Sequence, residues 1–444
     1  MNYAKTVSEK ATPQSEPLFG SSQVKNNAGG FVYELNEWDR LDRFLILGTE
    51  GGTYYVKEKP LTLDNAKAIL ALITKDGLRV VARTVEISES GRAPKNDPAI
   101  FVLALCAKKG NDVTRKAALN AVGKVCRIGT HLYHFAEAVK QLGGWGRGTR
   151  NAISSWFLNK ETDNLAYQVV KYQQRDGWSA RDLLRKSHPE PKSQQQKDIF
   201  SWIVKGWDSI GPDAPKKETS LGVIWAFEKM KRASSVQEVI SLIQDLRLSH
   251  EMVTNEWKTK PEVWDALLPH LGLEATLRNL ANMTRYGLLT QTSDATNKVI
   301  EKITNEEALK KARFHPIKVL SALLTYKEGR CVRGSGVWTP VQKIVDALDE
   351  AFYKSFSSVE PTGKRRLLAL DVSSSMSGGE IAGVPGLTPC VGTAALAMAI
   401  ARTEKDYQIV GFCHNLINLP VSPRMRLDDA IKVVQNRNFG STDA

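Results

Sequence analysis

Between Lys140 and His188 the chain carries nine Lys or Arg residues against four acids, and several of the cations recur at helical spacing. In "DGWSARDLLRKSHP", Ser179 followed three residues later by Asp182 has the form of a capping box, and Pro189 marks the exit. Within the intervening helix Arg181, Arg185 and His188 stand at offsets 0, 4 and 7 and share a face, with Lys186 beside them. Lys171 and Arg175, four apart, are expected to share a face of the preceding helix. Tyr172 and Trp178 interleave with these cations as stacking platforms for unpaired bases; the alternative is that Trp145 and Trp178 are core. Upstream, "GGWGRGTR" is a glycine-rich loop entering a helix, where open backbone N–H groups, Arg147 and Arg150 suit a phosphate. It follows no strand and lacks GK[ST], so it is not read as a nucleotide P-loop.

A second set of donors lies in "LLALDVSSSMSGG". Asp371, Ser373 and Ser375 form DxSxS at the carboxyl end of an apolar strand, the end at which open α/β sheets bind ligands. Thr442 in "GSTDA" adds a hydroxyl. Carboxylate and hydroxyl oxygens suit Mg²⁺ or another hard divalent cation. Elsewhere the histidines show no HExxH spacing, and His131 and His134 fall in an apolar helix, where packing outweighs metal binding as a reading. No nucleophile elbow or kinase signature appears, and the chain is read as a non-enzyme.

The elements that must position these residues are mostly helical from about Asn36 to Phe356. Leu132, Phe135, Ala136, Val139 and Leu142 make one apolar stripe, and Val341, Ile344, Val345, Leu348 and Phe352 make another behind a Thr339 cap and Pro340. Similar segments fall at roughly 62–75, 97–108, 112–126, 148–158, 218–231, 235–246, 273–283 and 305–313. So many short antiparallel helices cannot share one core, and a stack of degenerate, HEAT-like helical pairs is the economical solution. After Val359-Glu360-Pro361 the pattern becomes α/β: a strand at Leu367–Leu370, a helix at Gly392–Arg402, a strand at Tyr407–Phe412 and a helix at Leu427–Val434.

At 444 residues and 42% hydrophobic the chain is long enough for two or three domains. Its longest clean apolar run, Thr393–Ala401, is too short to span a bilayer. The five cysteines have no paired spacing and are read as reduced core thiols of a cytoplasmic protein. A net charge of +13 favours a polyanionic partner.

The stretches "GGFVYELNEWDRLDRFLILGTEGGTYY" (from Gly29), "VCRIGTHLYHF", "KYQQRDGWSARDLLRKSHP", "LRNLANMTRYGLL", "HPIKVLSALLTYKEGR" and "LLALDVSSSMSG" resemble the Ro ribonucleoprotein (TROVE) family, in the style of its bacterial members. The resemblance implies a monomeric, mainly α protein: a HEAT-like α-solenoid closed into a ring, followed by an α/β von Willebrand factor A-like domain with a metal-ion-dependent adhesion site. The expected division is a polar tail at 1–25, the ring at 26–360 and the A-like domain at 361–444. It further implies Y-like noncoding RNA on a basic outer surface, with contacts from Lys171, Arg175, Arg181, Arg185 and His188. Single-stranded 3′ ends of misfolded RNA would enter the central hole, and polynucleotide phosphorylase would be tethered through RNA. In one respect the sequence departs from the family pattern. The stretch from Pro361 is about half as long as the family's A domain and lacks its last motif aspartate, so a shortened domain is expected, with Leu367–Leu370 lacking a neighbouring strand on one side. The rival reading is a metal-dependent protein-interaction scaffold whose basic block only solubilises.

Overall fold

Short polar side chains start many of the helices, because they satisfy backbone N–H groups that the first turn leaves without partners. In the computed structural model, which describes residues 16–25, 30–48, 66–210, 221–332, 334–412 and 416–435, Asn36 accepts from the backbone N–H groups of Trp38 and Asp39 to open α1 (Glu37–Leu47). Thr442 and Cys413 lie outside the described residues. The described residues divide into two compact units, one of Tyr33–Ser234 with Glu251–Thr254, the other of Ser235–His250 with those from Asn255 onward and those before Tyr33.

The unit from Tyr33 continues through α2 (Lys67–Ser90), α3 (Asp97–Lys109), α4 (Asp112–Asn120), α5 (Val122–Val125), α6 (Gly129–Gln141), α7 (Arg147–Leu158) and α8 (Thr162–Lys171). A two-stranded hairpin of β1 (Gln174–Arg175) and β2 (Trp178–Ser179) follows, then α9 (Ala180–Ser187), α10 (Gln194–Lys205) and α11 (Gly222–Met230). Helix α3 is apolar on all sides and buried from Pro98 to Ala107, so it must be enclosed, and α2, α4 and α6 pack around it.

Of the helix expected at 62–75, residues 62–65 lie outside the described residues; α2 begins at Lys67 and, rather than ending near 75, kinks with Asp76 at φ −154° and resumes helix to Ser90. Thr114 packs where a Gly77 side chain would project, which requires glycine at the kink. The predicted 112–126 helix breaks at Ala121 into α4 and α5.

In the other unit α12 (Val236–Leu246) pairs with α13 (Pro261–Leu267), and α14 (Leu273–Arg285) with α15 (Asp294–Ile303). Beyond α16 (Glu306–Lys311), α17 (Pro316–Glu328) pairs with α18 (Gln342–Lys354). Helix α18 starts after Val341 rather than at the expected Thr339–Pro340, because Val341 is still extended and donates its N–H to the Tyr326 hydroxyl at 3.3 Å. The α/β part follows the expected order: β3 (Arg366–Asp371), α19 (Pro389–Thr403), β4 (Tyr407–Phe412), β5 (Leu416–Asn418) and α20 (Leu427–Gln435). Strand β3 runs parallel to β4, its one neighbour among the described residues, and Leu367 is 58% exposed. Glu404 fixes the approach to β3 by accepting from the backbone N–H groups of Thr362 (2.7 Å) and Gly363 (3.1 Å) and from the Thr362 hydroxyl, bonds that hold its carboxyl below the usual range.

Among the described residues no helix is long and apolar enough to cross a membrane. Cys106, Cys126 and Cys390 are buried thiols without disulfide partners. Burial pushes Cys106 up to about 12 and Cys126 further.

Gly77→Ala is expected to lower stability by about 1–3 kcal/mol, because the added Cβ would meet Thr114 Oγ1 and, at 2.5 Å, Thr114 Cγ2. Urea denaturation measures the loss, and adding Thr114→Ala restores most of it if this contact is the cause.

Candidate nucleic-acid interface

Ser179 and Asp182 form the expected capping box at the head of α9: the Ser179 N–H donates to Asp182 Oδ2 at 3.0 Å, and the Asp182 N–H donates to Ser179 Oγ at 3.3 Å. The box sets the rotation of α9, burying Ala180, Leu183 and Leu184 and leaving Arg181, Arg185 and Lys186 exposed. His188 is an exposed left-handed cap at φ 47°, its N–H donating to the Leu184 carbonyl at 2.9 Å.

Lys171 and Arg175 do not share a helix face. Helix α8 ends at Lys171, and Arg175 belongs to the hairpin, where it pairs in register with Trp178. Asp176 and Gly177 both have positive φ, 52° and 76°, as a type I′ turn demands, and Asp-Gly is a favoured sequence for it. That dipeptide is the signal that identifies the hairpin. Lys171 is only 19% exposed along its side chain and lies 3.5 Å from Glu251. Burial works against its charge, but Glu251 and the hydroxyl groups of Tyr167 and Tyr172 outweigh it and raise its pKa above the ordinary lysine value. Arg175, by contrast, is exposed.

Helix α6 holds the hairpin from beneath. Tyr133 donates its hydroxyl to the Tyr172 carbonyl at 2.8 Å, and His134 Nδ1 lies 2.5 Å from Asp176 Oδ2, with its Nε2 3.5 Å from Asp97. Glu137 accepts from the Trp178 indole N–H at 2.8 Å, the main reason its carboxyl is held below the usual range, with Gln141 and Lys140 adding to it. Trp178 is 6% exposed and stacks on Trp145 at 5.2 Å, so it is core rather than an open platform. Lys186 and Lys140 lie 5.9 and 5.8 Å from the Trp178 ring centroid. Trp145 belongs to the glycine-rich loop, where Gly143 and Gly144 take positive φ and Lys108 donates to the Gly144 carbonyl at 2.7 Å. The loop delivers the chain into α7, whose first turn has no side-chain cap and carries exposed Arg147 and Arg150. His131 and His134 are packed side chains, as expected, though His134 also ties two carboxylates together.

The second donor set lies at the carboxyl end of β3. The Ser373 N–H donates to Asp371 Oδ1 at 2.8 Å, and the hydroxyls of Ser373 and Ser375 are 3.0 Å apart. These three oxygen-bearing side chains suit a hard cation in type, but they include one carboxylate. Among the described residues no group of three His, Cys, Asp or Glu could hold a metal.

His131 gives the interface a measurable pH signature. Burial, then Arg127, pushes it down to about 4, against about 6.5 for an unfolded histidine. The unfolded chain therefore binds this proton more readily, so the His131 contribution to stability is present above pH 6.5 and lost as pH falls toward 4. In urea titrations across that range His131→Gln should flatten the decline; a parallel decline in parent and variant would mean that other groups cause it.

Two domain families match the chain: a TROVE domain over residues 24–325 and a Ro60 vWA domain over 365–444. It is 41% identical over 446 residues to the RNA-binding protein RO60 of Deinococcus radiodurans, covering 100% of this chain and 82% of that one. It is 32% identical over 506 residues to the RNA-binding protein RO60 of Caenorhabditis elegans, covering 98% and 78%. The crystal structure of the Deinococcus radiodurans RO (RSR) protein superposes with a TM-score of 0.80 at 40% identity, over 91% of this chain and 81% of that one. With helical repeats, a small α/β domain and sequence likeness along its whole length, the chain belongs to the TROVE-domain family of Ro proteins.

Proposed function

We propose that this protein is a non-catalytic RNA-binding scaffold whose main contact is the arginine-rich face around α7, the β1–β2 hairpin and α9. One observation carries the reading: Arg147, Arg150, Arg175, Arg181 and Arg185 are exposed, and among the described residues none has a carboxylate within ion-pair distance. Unpaired guanidinium groups on a rigid frame suit phosphates, which they can meet bidentately. The names of the relatives, RNA-binding proteins, point the same way. Lys186 and His188 lie at the end of α9 as further contacts, and Lys171, engaged by Glu251, contributes less than the arginines.

The finer reading follows the family resemblance. The natural ligand is a Y-like noncoding RNA, held in the cytoplasm by a monomeric closed ring. Structured or misfolded RNA offers its single-stranded 3′ end to the ring's hole, and polynucleotide phosphorylase is recruited through the RNA. At Asp371, Ser373, Ser375 and Thr442 we propose weak divalent-cation binding, because one carboxylate and neutral hydroxyls offset little of the cost of stripping water from Mg²⁺.

Arg175→Ala/Arg181→Ala/Arg185→Ala should weaken binding of a structured RNA on the order of 10²-fold at low salt and reduce its log–log salt slope by about 2–3. A folded variant that binds like the parent, with the same slope, removes the outer-face reading. In the same assay a hairpin with a 3′ tail should outcompete its blunt counterpart; equal affinities would remove the ring-threading step alone. Millimolar Mg²⁺ should leave the thermal midpoint of the full chain unchanged, whereas a concentration-dependent rise would reveal a tight site.

A further inference from the structure

Adjoining the arginine face and sharing α7 with it is an open groove of about 670 Å³, formed where α4 and α7 lie side by side. Its lining follows one stripe of each helix: Asp112, Arg115, Lys116, Leu119 and Asn120 on α4, and Gly148, Asn151, Ala152 and Ser155 on α7, with Asn159 capping α7. Both sets recur at steps of three and four, so two complete helix faces, rather than scattered loop residues, form the walls. The α7 wall runs roughly 15 Å at 1.5 Å per residue, long enough for a few stacked nucleotides.

The chemistry of the walls is selective. Arg115, Lys116 and Lys160 face one acid, Asp112, which Arg115 already engages at 2.9 Å. Lys160 lies 4.2 Å from the Trp156 ring centroid and donates to the Arg127 carbonyl at 3.3 Å, which anchors its ammonium at one end of the groove. Burial lowers its pKa, and an incoming anion would restore the favourable surroundings that burial removed. Asn120 and Asn151 are exposed, and their side chains make no hydrogen bond among the described residues. Primary amides offer donors and acceptors together. Carboxylate side chains of an acidic peptide would use only the amide donors, whereas bases and 2′-hydroxyls use donors and acceptors together.

We propose that this groove is a second RNA subsite, which takes a short single-stranded segment with its phosphates on Arg115, Lys116 and Lys160 and its bases or riboses on Asn120, Asn151 and Asn159. The assignment rests on the RNA-binding reading above but uses none of its residues. Because the groove is open along its length, it needs no free 3′ end, and this separates it from threading.

The test uses the full chain and fluorescence anisotropy with two probes, a 3′-phosphorylated oligouridine octamer and a blunt-ended RNA hairpin. One variant, Lys116→Ala/Asn151→Ala, removes wall chemistry at exposed positions. A second, Gly123→Leu, fills the groove from α5, where a Cβ meets nothing within 4 Å. Each should weaken octamer binding about tenfold or more while changing hairpin binding less than twofold, and a 3′-hydroxyl octamer should bind like the phosphorylated one. Unchanged octamer affinity in both variants, equal losses for both probes, or no octamer binding by the parent would overturn the proposal. Displacement of the octamer by polyglutamate as readily as by RNA would also overturn it, in favour of a protein partner. A triple-arginine variant that leaves hairpin binding intact would overturn the outer-face reading instead and leave the groove standing.

Discussion

The arrangement of the arginine face depends on where its carboxylates go. Glu137 takes the Trp178 indole N–H, Asp176 takes His134, and Asp182 closes the α9 cap. Glu161 is the N-cap of α8 and Asp163 lies in its first turn, where negative charge favours the helix N-terminus. Every acid within the basic block thus has an internal or terminal role, and so do the two that approach it from α6 and α3, Glu137 and Asp97. The positive charge of the block is left facing outward. A carboxylate placed among the exposed guanidinium groups would neutralise them, whereas here Glu137, Asp176 and Asp182 are tied into the frame.

That frame explains why a short hairpin can present an arginine reproducibly. A two-stranded ladder of two residues per strand has little stability of its own. Three side chains of one helix, Tyr133, His134 and Glu137, reach it at separate points, and the indole pair of Trp145 and Trp178 fills the space between hairpin and glycine loop. Lys186 lies 5.7 and 5.9 Å from the centroids of the two stacked rings, and the Trp178–Glu137 bond beside them is partly buried.

Much of this was legible in the residues. Helical period located the apolar stripe of α6, the Ser179–Asp182 spacing located the head of α9, and the apolar run before Asp371 located β3. What escaped was tertiary or depended on two neighbouring residues with positive φ. The four-residue step from Lys171 to Arg175 mimics a helix turn, but Asp176-Gly177 draws the chain into a hairpin and rotates Arg175 out of register with α8. The pairing of Lys171 with Glu251 joins positions 80 residues apart and has no local signature. The groove was invisible for the same reason, since each helix alone shows only a polar stripe and the site exists once α4 and α7 are neighbours. At α2 the expected end near 75 proved to be a kink, because the helix resumes beyond Gly77, where a close approach by Thr114 demands glycine.

The buried thiols have a consequence for the protein's life under oxidants. Peroxide and disulfide reagents attack thiolates, and Cys106 and Cys126, held neutral by their apolar surroundings, present almost none at physiological pH. Both are free thiols at 0% exposure, out of reach of an outside thiol while the fold is intact. Oxidation at these two positions would therefore require the helical frame beneath the arginine face to open first.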